Sequence, residues 1–228
     1  MREDICTIPV TDAFEENDGC PICRMRETVE NRIIEYIMGA AMMEPDIRIE
    51  TNRLGFCERH LTQMTKRRGR LQLALMLETH TKDLYDSLFK GNLLKTRYKT
   101  AEKAEARRKS CFVCEKIDWG FARMLDTVYR TFETDRDFRE MFAKQDMFCL
   151  EHYAMLVSGS AKKGMRRYGS EFAELLEDKA GNYLKTLSED LKKYCSMYDY
   201  RNSGADADWG NSKDSIERTL AFLTGTME

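Results

Sequence analysis

The feature that most constrains this chain is a C-x2-C motif followed by a C-x2-H motif, a combination that occurs twice. The first set is Cys20, Cys23, Cys57 and His60, and the second is Cys111, Cys114, Cys149 and His152. The two motifs are separated by 33 intervening residues in the first set and by 34 in the second. Both sets together use two of the only three histidines in the chain. Chance does not explain such a pattern, so the sequence predicts two sites of the same chemistry.

Three thiolates and one imidazole are a common ligand set for structural zinc. A C-x2-C motif at a helix start places its sulfurs beside exposed N–H groups, which favour the thiolate form. A C-x2-H motif on a second helix adds a sulfur and a nitrogen on one face. We therefore predict two zinc ions, held by all eight residues. Iron, or an iron–sulfur cluster, is the rival occupant, since soft thiolates suit it as well.

The spacing is compatible with two ways of combining the motifs. Each site can close within its own repeat, so that Cys20 and Cys23 meet Cys57 and His60. We expect this arrangement, because sequential elements usually pack as neighbours. In the crossed alternative, the Cys20–Cys23 pair meets the C-x2-H motif of the other repeat. Equal spacing does not exclude that alternative.

Four protein ligands leave no coordination position for water, which a catalytic zinc normally keeps. The sequence therefore favours a protein that is not an enzyme, and no residue is assigned a catalytic or cofactor-binding role. Thiol–disulfide exchange at the C-x2-C motifs is disfavoured, because no βαβ pattern surrounds them. His80 and the Asp206/Asp208 pair are the remaining catalytic candidates. His80 lies on the apolar stripe of a helix, which is typical of a core or boundary residue.

Composition favours helices. The chain has only three prolines among 228 residues, and it is rich in Leu, Met, Ala, Glu, Lys and Arg. We predict an all-α fold with two tandem helical repeats, each pinned by a Cys3His metal site, and with a short N-terminal arm and a C-terminal helix. The predicted segments are an arm at 1–19, the first repeat at 20–90, a charged linker helix at 91–110, the second repeat at 111–198 and a tail with a helix at 199–228.

Four local expectations follow from the pattern. Residues 5–10 are expected to be extended, because they are partly β-branched and interrupted by Pro9. Residues 45–55 are expected to be a connection between helices. The last helix is expected to begin with a cap at 211–214 and to dock through Ile216, Leu220, Phe222 and Leu223. Trp209, among acids and glycines, is expected to anchor the tail.

A net charge of −2 names no partner. Each repeat nevertheless has a basic loop after its C-x2-H helix, and the linker has a local basic excess. The loop cations are Lys66, Arg67, Arg68, Arg70, Lys162, Lys163, Arg166 and Arg167. Solvated helix ends explain them by default, and an anionic polymer is the alternative partner. Otherwise we expect a protein partner, with the chain acting as an interaction or adaptor module. A redox- or metal-responsive regulator is the second hypothesis.

The N-terminal residues contain no apolar signal segment, and no apolar run approaches the roughly 20 residues that span a bilayer. We therefore expect a cytoplasmic protein without a membrane contact. Eight cysteines in a reducing compartment indicate metal ligands, not disulfides. Cys6 and Cys195 lack metal partners in the sequence, and Cys6 is expected to be a small, semi-buried side chain.

Several further segments carry a resemblance that covers essentially the whole chain. They are residues 8–14, which read IPVTDAF, the two metal motif sets, residues 199–202, which read DYRN, and residues 208–214, which read DWGNSKD. In combination they resemble an uncharacterised family of bacterial proteins, a domain of unknown function. All eight Cys and His residues match the family pattern. The resemblance implies the architecture and no established activity.

Overall fold

The computed structural model describes residues 7–90, 97–199, 201 and 208–225. Within these residues every regular element is helical, so the predicted all-α fold is confirmed. The α-helices are α1 (Thr7–Glu15), α2 (Pro21–Met38), α3 (Pro45–Leu54), α4 (Glu58–Lys66), α5 (Arg70–Leu88), α6 (Arg97–Lys109), α7 (Phe112–Thr134), α8 (Arg136–Lys144), α9 (Leu150–Lys163), α10 (Gly169–Ser196) and α11 (Ser215–Thr224). A short 3₁₀ helix, Ala40–Met43, lies between α2 and α3. Over the described ranges, no helix combines the length and the apolar character that crossing a bilayer requires.

The chain divides into two compact units that do not follow the order of the sequence. Unit 1 comprises Met1–Met25 and Arg123–Glu228, and unit 2 comprises Arg26–Ala122. The boundaries fall inside α2 and inside α7. The first turn and a half of α2 therefore belongs with the C-terminal half of the chain.

The core of unit 1 is a cluster of phenylalanine rings. The ring of Phe142 lies 5.1 Å from that of Phe132, 4.8 Å from that of Phe148 and 5.1 Å from that of Phe172. Phe14 of α1 stacks on the same ring at 5.4 Å. All five side chains are 0% or 1% exposed. The cluster therefore joins α1, α7, α8 and α10 to the residue that precedes Cys149.

In unit 2 the end of α3 is tied to the start of α7. A helix leaves its last four carbonyl groups without partners inside the helix. Here the hydroxyl of Ser110 donates to the carbonyl of Leu54 at 2.7 Å, and the backbone N–H of Phe112 donates to the carbonyl of Gly55 at 2.9 Å. The guanidinium of Arg107 donates to the carbonyl of Asn52 at 2.8 Å. These bonds bring the second C-x2-C motif to the first C-x2-H motif.

The N-terminal segment is helical from Thr7, so the expected extended conformation of residues 7–10 is wrong. Pro9 lies in the first turn of α1, where a missing N–H breaks no helical hydrogen bond. Val10 and Phe14 are each 1% exposed, so burial of one face stabilises the helix. Gln145 donates to the carbonyl of Phe14 at 2.7 Å and holds the end of α1. Residues 1–6, including Cys6, lie outside the described residues.

Two other expectations need correction. Residues 45–54 form helix α3 and not a simple connection, with Pro45 at its first position, where proline is favoured. On α11, Ala221 and Phe222 are buried, whereas Ile216 and Leu220 are 49% and 58% exposed and so do not dock the helix.

The tail helix itself is confirmed, although Asp214 at its start makes no side-chain capping bond. Trp209 does anchor the tail. Its ring contacts those of Tyr194 and Tyr198 at 5.7 and 6.1 Å.

Replacing Phe142 by alanine should remove the central ring of the unit 1 core. We expect Phe142→Ala to lower the free energy of unfolding by about 3–5 kcal/mol, because the neighbouring rings cannot collapse fully into the space. Urea unfolding followed by circular dichroism measures this change. Phe89→Ala is the matched control, since Phe89 is 69% exposed and should change stability by less than about 0.5 kcal/mol. Equal effects of the two substitutions would contradict the assigned core.

Candidate metal centres

The eight predicted ligands form two groups of four, and the groups are crossed. The first centre contains Cys20, Cys23, Cys149 and His152, and the second contains Cys57, His60, Cys111 and Cys114. In each group the ligand atoms all lie within 4.8 Å of one another. The expectation that each site closes within its own repeat is therefore wrong, and the crossed alternative describes the structure. The first centre lies in unit 1 and the second in unit 2.

The lengths of the helices explain the crossing. Helix α2 starts at the first C-x2-C motif and has 18 residues, so it is about 27 Å long. Helix α3, which follows, has ten residues and can carry the chain back only about 15 Å. The C-x2-H motif is thus left beside the middle of α2, where His60 contacts Glu30. The hydrogen bonds at Leu54 and Gly55 then supply Cys111 and Cys114 as its partners.

The first centre is assembled from the starts of two helices. Cys20 directly precedes α2, and Cys149 is the residue that precedes α9. The Nδ1 atom of His152 lies 3.1 Å from the sulfur of Cys149, 3.3 Å from that of Cys23 and 3.5 Å from that of Cys20. The sulfurs of Cys23 and Cys149 are 3.7 Å apart. Cys20, Cys149 and His152 are buried, and Cys23 is half-buried.

The second centre has the same design. The Nδ1 atom of His60 lies 3.2 Å from the sulfur of Cys57, 3.3 Å from that of Cys111 and 3.5 Å from that of Cys114. The sulfurs of Cys57 and Cys114 are 3.9 Å apart. His60 and Cys111 are buried, whereas Cys57 and Cys114 are both half-buried.

These distances fit a tetrahedral zinc ion. With Zn–S bonds of about 2.3 Å and a Zn–N bond of about 2.0–2.1 Å, tetrahedral angles place two sulfurs about 3.8 Å apart and a sulfur about 3.6 Å from the nitrogen. The observed S···S distances are 3.7 and 3.9 Å, and the observed S···N distances run from 3.1 to 3.5 Å. The residues therefore fit a four-coordinate ion. Such an ion would supply positive charge and cross-linking, with no open coordination position.

The pKa values of several ligand side chains are shifted, because the cysteine thiol groups lie close together in each centre. Burial first, and then the neighbouring charge of Cys111, raises the pKa of Cys114 to about 12. Hydrogen bonds with Cys149 and Cys20, together with burial, raise the pKa of Cys23. Burial lowers the pKa of His152, but the thiol groups of Cys149 and Cys20 outweigh it and raise this pKa to about 9. Several thiolates at this spacing repel one another, and a divalent cation would remove that repulsion.

Glu30 is a functional residue that the motifs alone do not show. Its carboxylate is 3% exposed and accepts a hydrogen bond from Nε2 of His60 at 2.9 Å. Arg59 donates to the other carboxylate oxygen at 2.8 Å. A carboxylate in this position fixes the imidazole tautomer and leaves Nδ1 free to face the sulfurs. The available signal was an acid in line with Ile34 and Ile37, on the buried face of α2.

The repeat that contains Cys111, Cys114, Cys149 and His152 has no carboxylate at the position that corresponds to Glu30 in the other repeat. Glu30 lies seven residues after Cys23, and Phe121 lies seven residues after Cys114. A phenyl ring cannot accept the hydrogen bond that Glu30 accepts. The two motif sets therefore differ in sequence at the position of Glu30.

Within the described part of the chain, the other candidates His80 and Cys195 lie outside the two groups of ligands. Nδ1 of His80 donates to the carbonyl of Asn52 at 2.9 Å, which holds the end of α3. A Cβ on Gly55 would lie 2.6 Å from the His80 ring, and the φ of Gly55 is +62°, so this position requires glycine. Asp206 lies outside the described residues. Cys195 is exposed and is not part of either group of ligands.

The crossed arrangement can be tested by removing one ligand. In metal-loaded Cys149→Ser we expect Cys20 and Cys23 to become alkylated by iodoacetamide, while Cys57, Cys111 and Cys114 stay protected, because only the first centre loses its ion. Peptide mass spectrometry identifies the labelled thiols. The exposed Cys195 serves as the positive control in every sample. Labelling of Cys111 and Cys114 with protection of Cys20 and Cys23 would restore closure within each repeat.

Glu30→Ala should weaken the second centre selectively. Loss of a carboxylate that orients a ligand histidine typically lowers metal affinity about 10- to 100-fold. Competition with a chromophoric chelator measures the affinities, and thiol labelling assigns them to the centres. Glu35→Ala is the matched control on the same helix, since the Glu35 carboxylate is 71% exposed and contacts Arg67 instead of a ligand. An unchanged affinity in Glu30→Ala would contradict the orienting role.

The comparisons with known proteins agree with the motif-based resemblance. The sequence profile of DUF6062, a family of unknown function, matches residues 1–228. No curated protein and no solved structure matches the chain. The resemblance to an uncharacterised family is confirmed, and the chain belongs to this family of unknown function, DUF6062.

Proposed function

We propose that this chain is a non-enzymatic zinc protein, in which two Cys3His centres shape a helical scaffold for contact with a partner. The observation that carries the proposal is the ligand count. Each centre brings four ligand atoms to within 4.8 Å of one another. An ion with four protein ligands has no position for a substrate or an attacking water, so its role is structural.

The energetics support a structural role. The first centre joins Cys23 to Cys149, which are 126 positions apart in the chain. Bringing the ends of such a long loop together on folding costs conformational entropy. A metal cross-link between the ends reduces this cost, and the stabilisation increases with the length of the loop. Structural zinc contributes about 10–16 kcal/mol in small peptides. Because a domain is stabilised by only about 5–15 kcal/mol in total, loss of zinc should unfold or loosen the units.

Exposed aromatic side chains support a role in contact with a partner. On α5 and α6, Tyr85, Phe89 and Tyr98 are 60%, 69% and 84% exposed. Adjacent exposed apolar groups, such as the rings of Tyr85 and Phe89 at 6.2 Å, are typical of an interaction surface. The partner class that we favour is a protein in the cytoplasm. We also propose that the chain is organised as the five segments predicted from the sequence, namely an arm, two repeats, a linker helix and a tail.

A redox-responsive regulator is the second candidate, and the exposure of the ligands favours it. Cys23, Cys57 and Cys114 are half-buried, so solvent reaches at least one thiol of each centre. Hydrogen peroxide, with two protons from the solvent, would convert two ligand thiolates into one disulfide and two water molecules, with release of the ion. Zinc release by mild peroxide, reversed by a thiol reductant and coupled to partner binding, would favour this candidate over the purely structural role.

The anionic-polymer alternative has weaker support, because the chain's own acids already contact parts of the basic loops. The Nζ atom of Lys163 lies 2.8 Å from a carboxylate oxygen of Asp126, and a guanidinium nitrogen of Arg67 lies 3.4 Å from a carboxylate oxygen of Glu35. Backbone N–H groups of Arg167, Tyr168 and Arg166 donate to Glu133 and lower the pKa of its carboxyl. Binding of single-stranded nucleic acid that weakens steeply with salt would support the basic loops as a binding surface.

Metal analysis of the purified chain tests the proposal. We expect two zinc ions per chain and a colourless solution, whereas iron would absorb visible light. Removal of zinc with EDTA should reduce helicity and the melting temperature, because the thiolate clusters lose their cation. Zinc should restore both signals, and magnesium, which prefers oxygen ligands, should not. Retention of helicity and melting temperature in metal-free protein would contradict a structural role for the ions.

A further inference from the structure

The C-terminal helix α11 ends against the first centre. Gly225, the residue that follows α11, has a left-handed φ of +71°, and its carbonyl oxygen lies 2.8 Å from the sulfur of Cys23. A Cβ atom at this position would lie 3.2 Å from the sulfur of Cys149 and 3.6 Å from that of Cys23. The backbone at the end of α11 therefore approaches two ligands as closely as a residue without a side chain allows.

The two centres provide an internal comparison for this contact. Cys149 and Cys57 occupy the same motif position, each directly before the helix that carries the ligand histidine. Cys149 is 0% exposed, whereas Cys57 is half-buried. The approach of Gly225 to Cys149 accounts for the more complete cover of the first centre.

Helix α11 is short, and a small set of contacts holds it on unit 1. It has ten residues and packs on α9 and α10. Phe222 is its largest buried side chain, and the Phe222 ring lies 5.7 Å from that of Tyr183. Arg218 pairs with Asp190 of α10 at 2.8 Å. A short helix that buries little apolar surface can open locally at a lower free energy than the rest of the unit.

We propose that α11 is a lid on the first centre, so that metal exchange at Cys20, Cys23, Cys149 and His152 requires its C-terminal end to lift. The second centre exchanges its ion without this step. The proposal rests on the metal-binding role proposed above. It makes the two ions kinetically different, although their ligand sets are the same.

Thiol labelling during metal removal tests the lid on the full-length, zinc-loaded chain. Excess EDTA and N-ethylmaleimide are added together, and peptide mass spectrometry follows Cys149 for the first centre and Cys57 for the second. In Gly225→Ala the new methyl group meets the sulfur of Cys149 and displaces the end of α11. We expect labelling of Cys149 to become about tenfold faster. Overpacking destabilises the closed position of α11, and the lower free-energy barrier to opening increases the rate.

Gly164→Ala is the matched control. Gly164 also ends a helix with a left-handed φ, of +65°, but a Cβ there would meet no atom within 4 Å. The backbone strain is thus similar, and labelling of Cys149 should stay at the wild-type rate. Arg218→Ala is a second test that adds no side chain near the ligands. By removing the pair with Asp190 it should also accelerate labelling of Cys149 and leave that of Cys57 unchanged.

The outcomes separate the lid from the proposed function. Equal Cys149 rates in Gly225→Ala and Gly164→Ala, or equal acceleration at Cys57, would overturn the lid and leave the metal centres standing. Labelling that does not depend on EDTA would show that the chain holds no ion in these centres. That result would overturn the proposed function, and the lid with it.

Discussion

The structure depends on one electrostatic constraint, the crowding of three cysteine sulfurs and one imidazole nitrogen into a space that suits a cation. Sulfurs 3.7–3.9 Å apart cannot all be ionised without a positive charge between them. The same groups join segments that are far apart in the chain, such as Cys23 and Cys149. Binding of an ion at these ligands would therefore be coupled to closure of the chain. A phenylalanine core supports this closure in unit 1, where Phe148 directly precedes the ligand Cys149.

The chemistry of the two centres could be predicted from sequence because ligand spacing is local information. Four residues of the C-x2-C and C-x2-H type on helix starts can present their sulfurs and nitrogens in only a few ways. The combination of the motifs could not be predicted in this way, since both pairings satisfy the same spacing. The lengths of α2 and α3 fit the crossed pairing. The sequence does not predict α3, because residues 45–54 lack a strong apolar period. Helix α8 occupies the matching place before the second C-x2-H motif, so the internal repeat is the signal that could have indicated α3.

The segments outside the motifs show a second limit of sequence patterns. Pro9 is compatible with an extended chain, but a proline in a first turn is equally compatible with a helix. On α11 the apolar residues occur on more than one face, so the pattern alone does not say which face is buried. The structure buries Ala221 and Phe222 and leaves Ile216 exposed, because α9 and α10 cover that side alone. Glu30 is a comparable case, since a single acid on an apolar face is read correctly only when His60 is placed beside it.

The differences between the centres are of two physical kinds. Beside the second centre, the Glu30 carboxylate acts on the imidazole of His60 and increases its basicity as a ligand, which strengthens binding at equilibrium. At the first centre, Gly225 adds no such charge and instead lies against the sulfurs of Cys149 and Cys23, and the proposed lid would thereby slow entry and departure of an ion. Affinity and exchange rate are separate quantities, because a cover that must open lowers both the on-rate and the off-rate without changing their ratio. Two sites with identical ligands can therefore hold one ion tightly and the other in slow exchange.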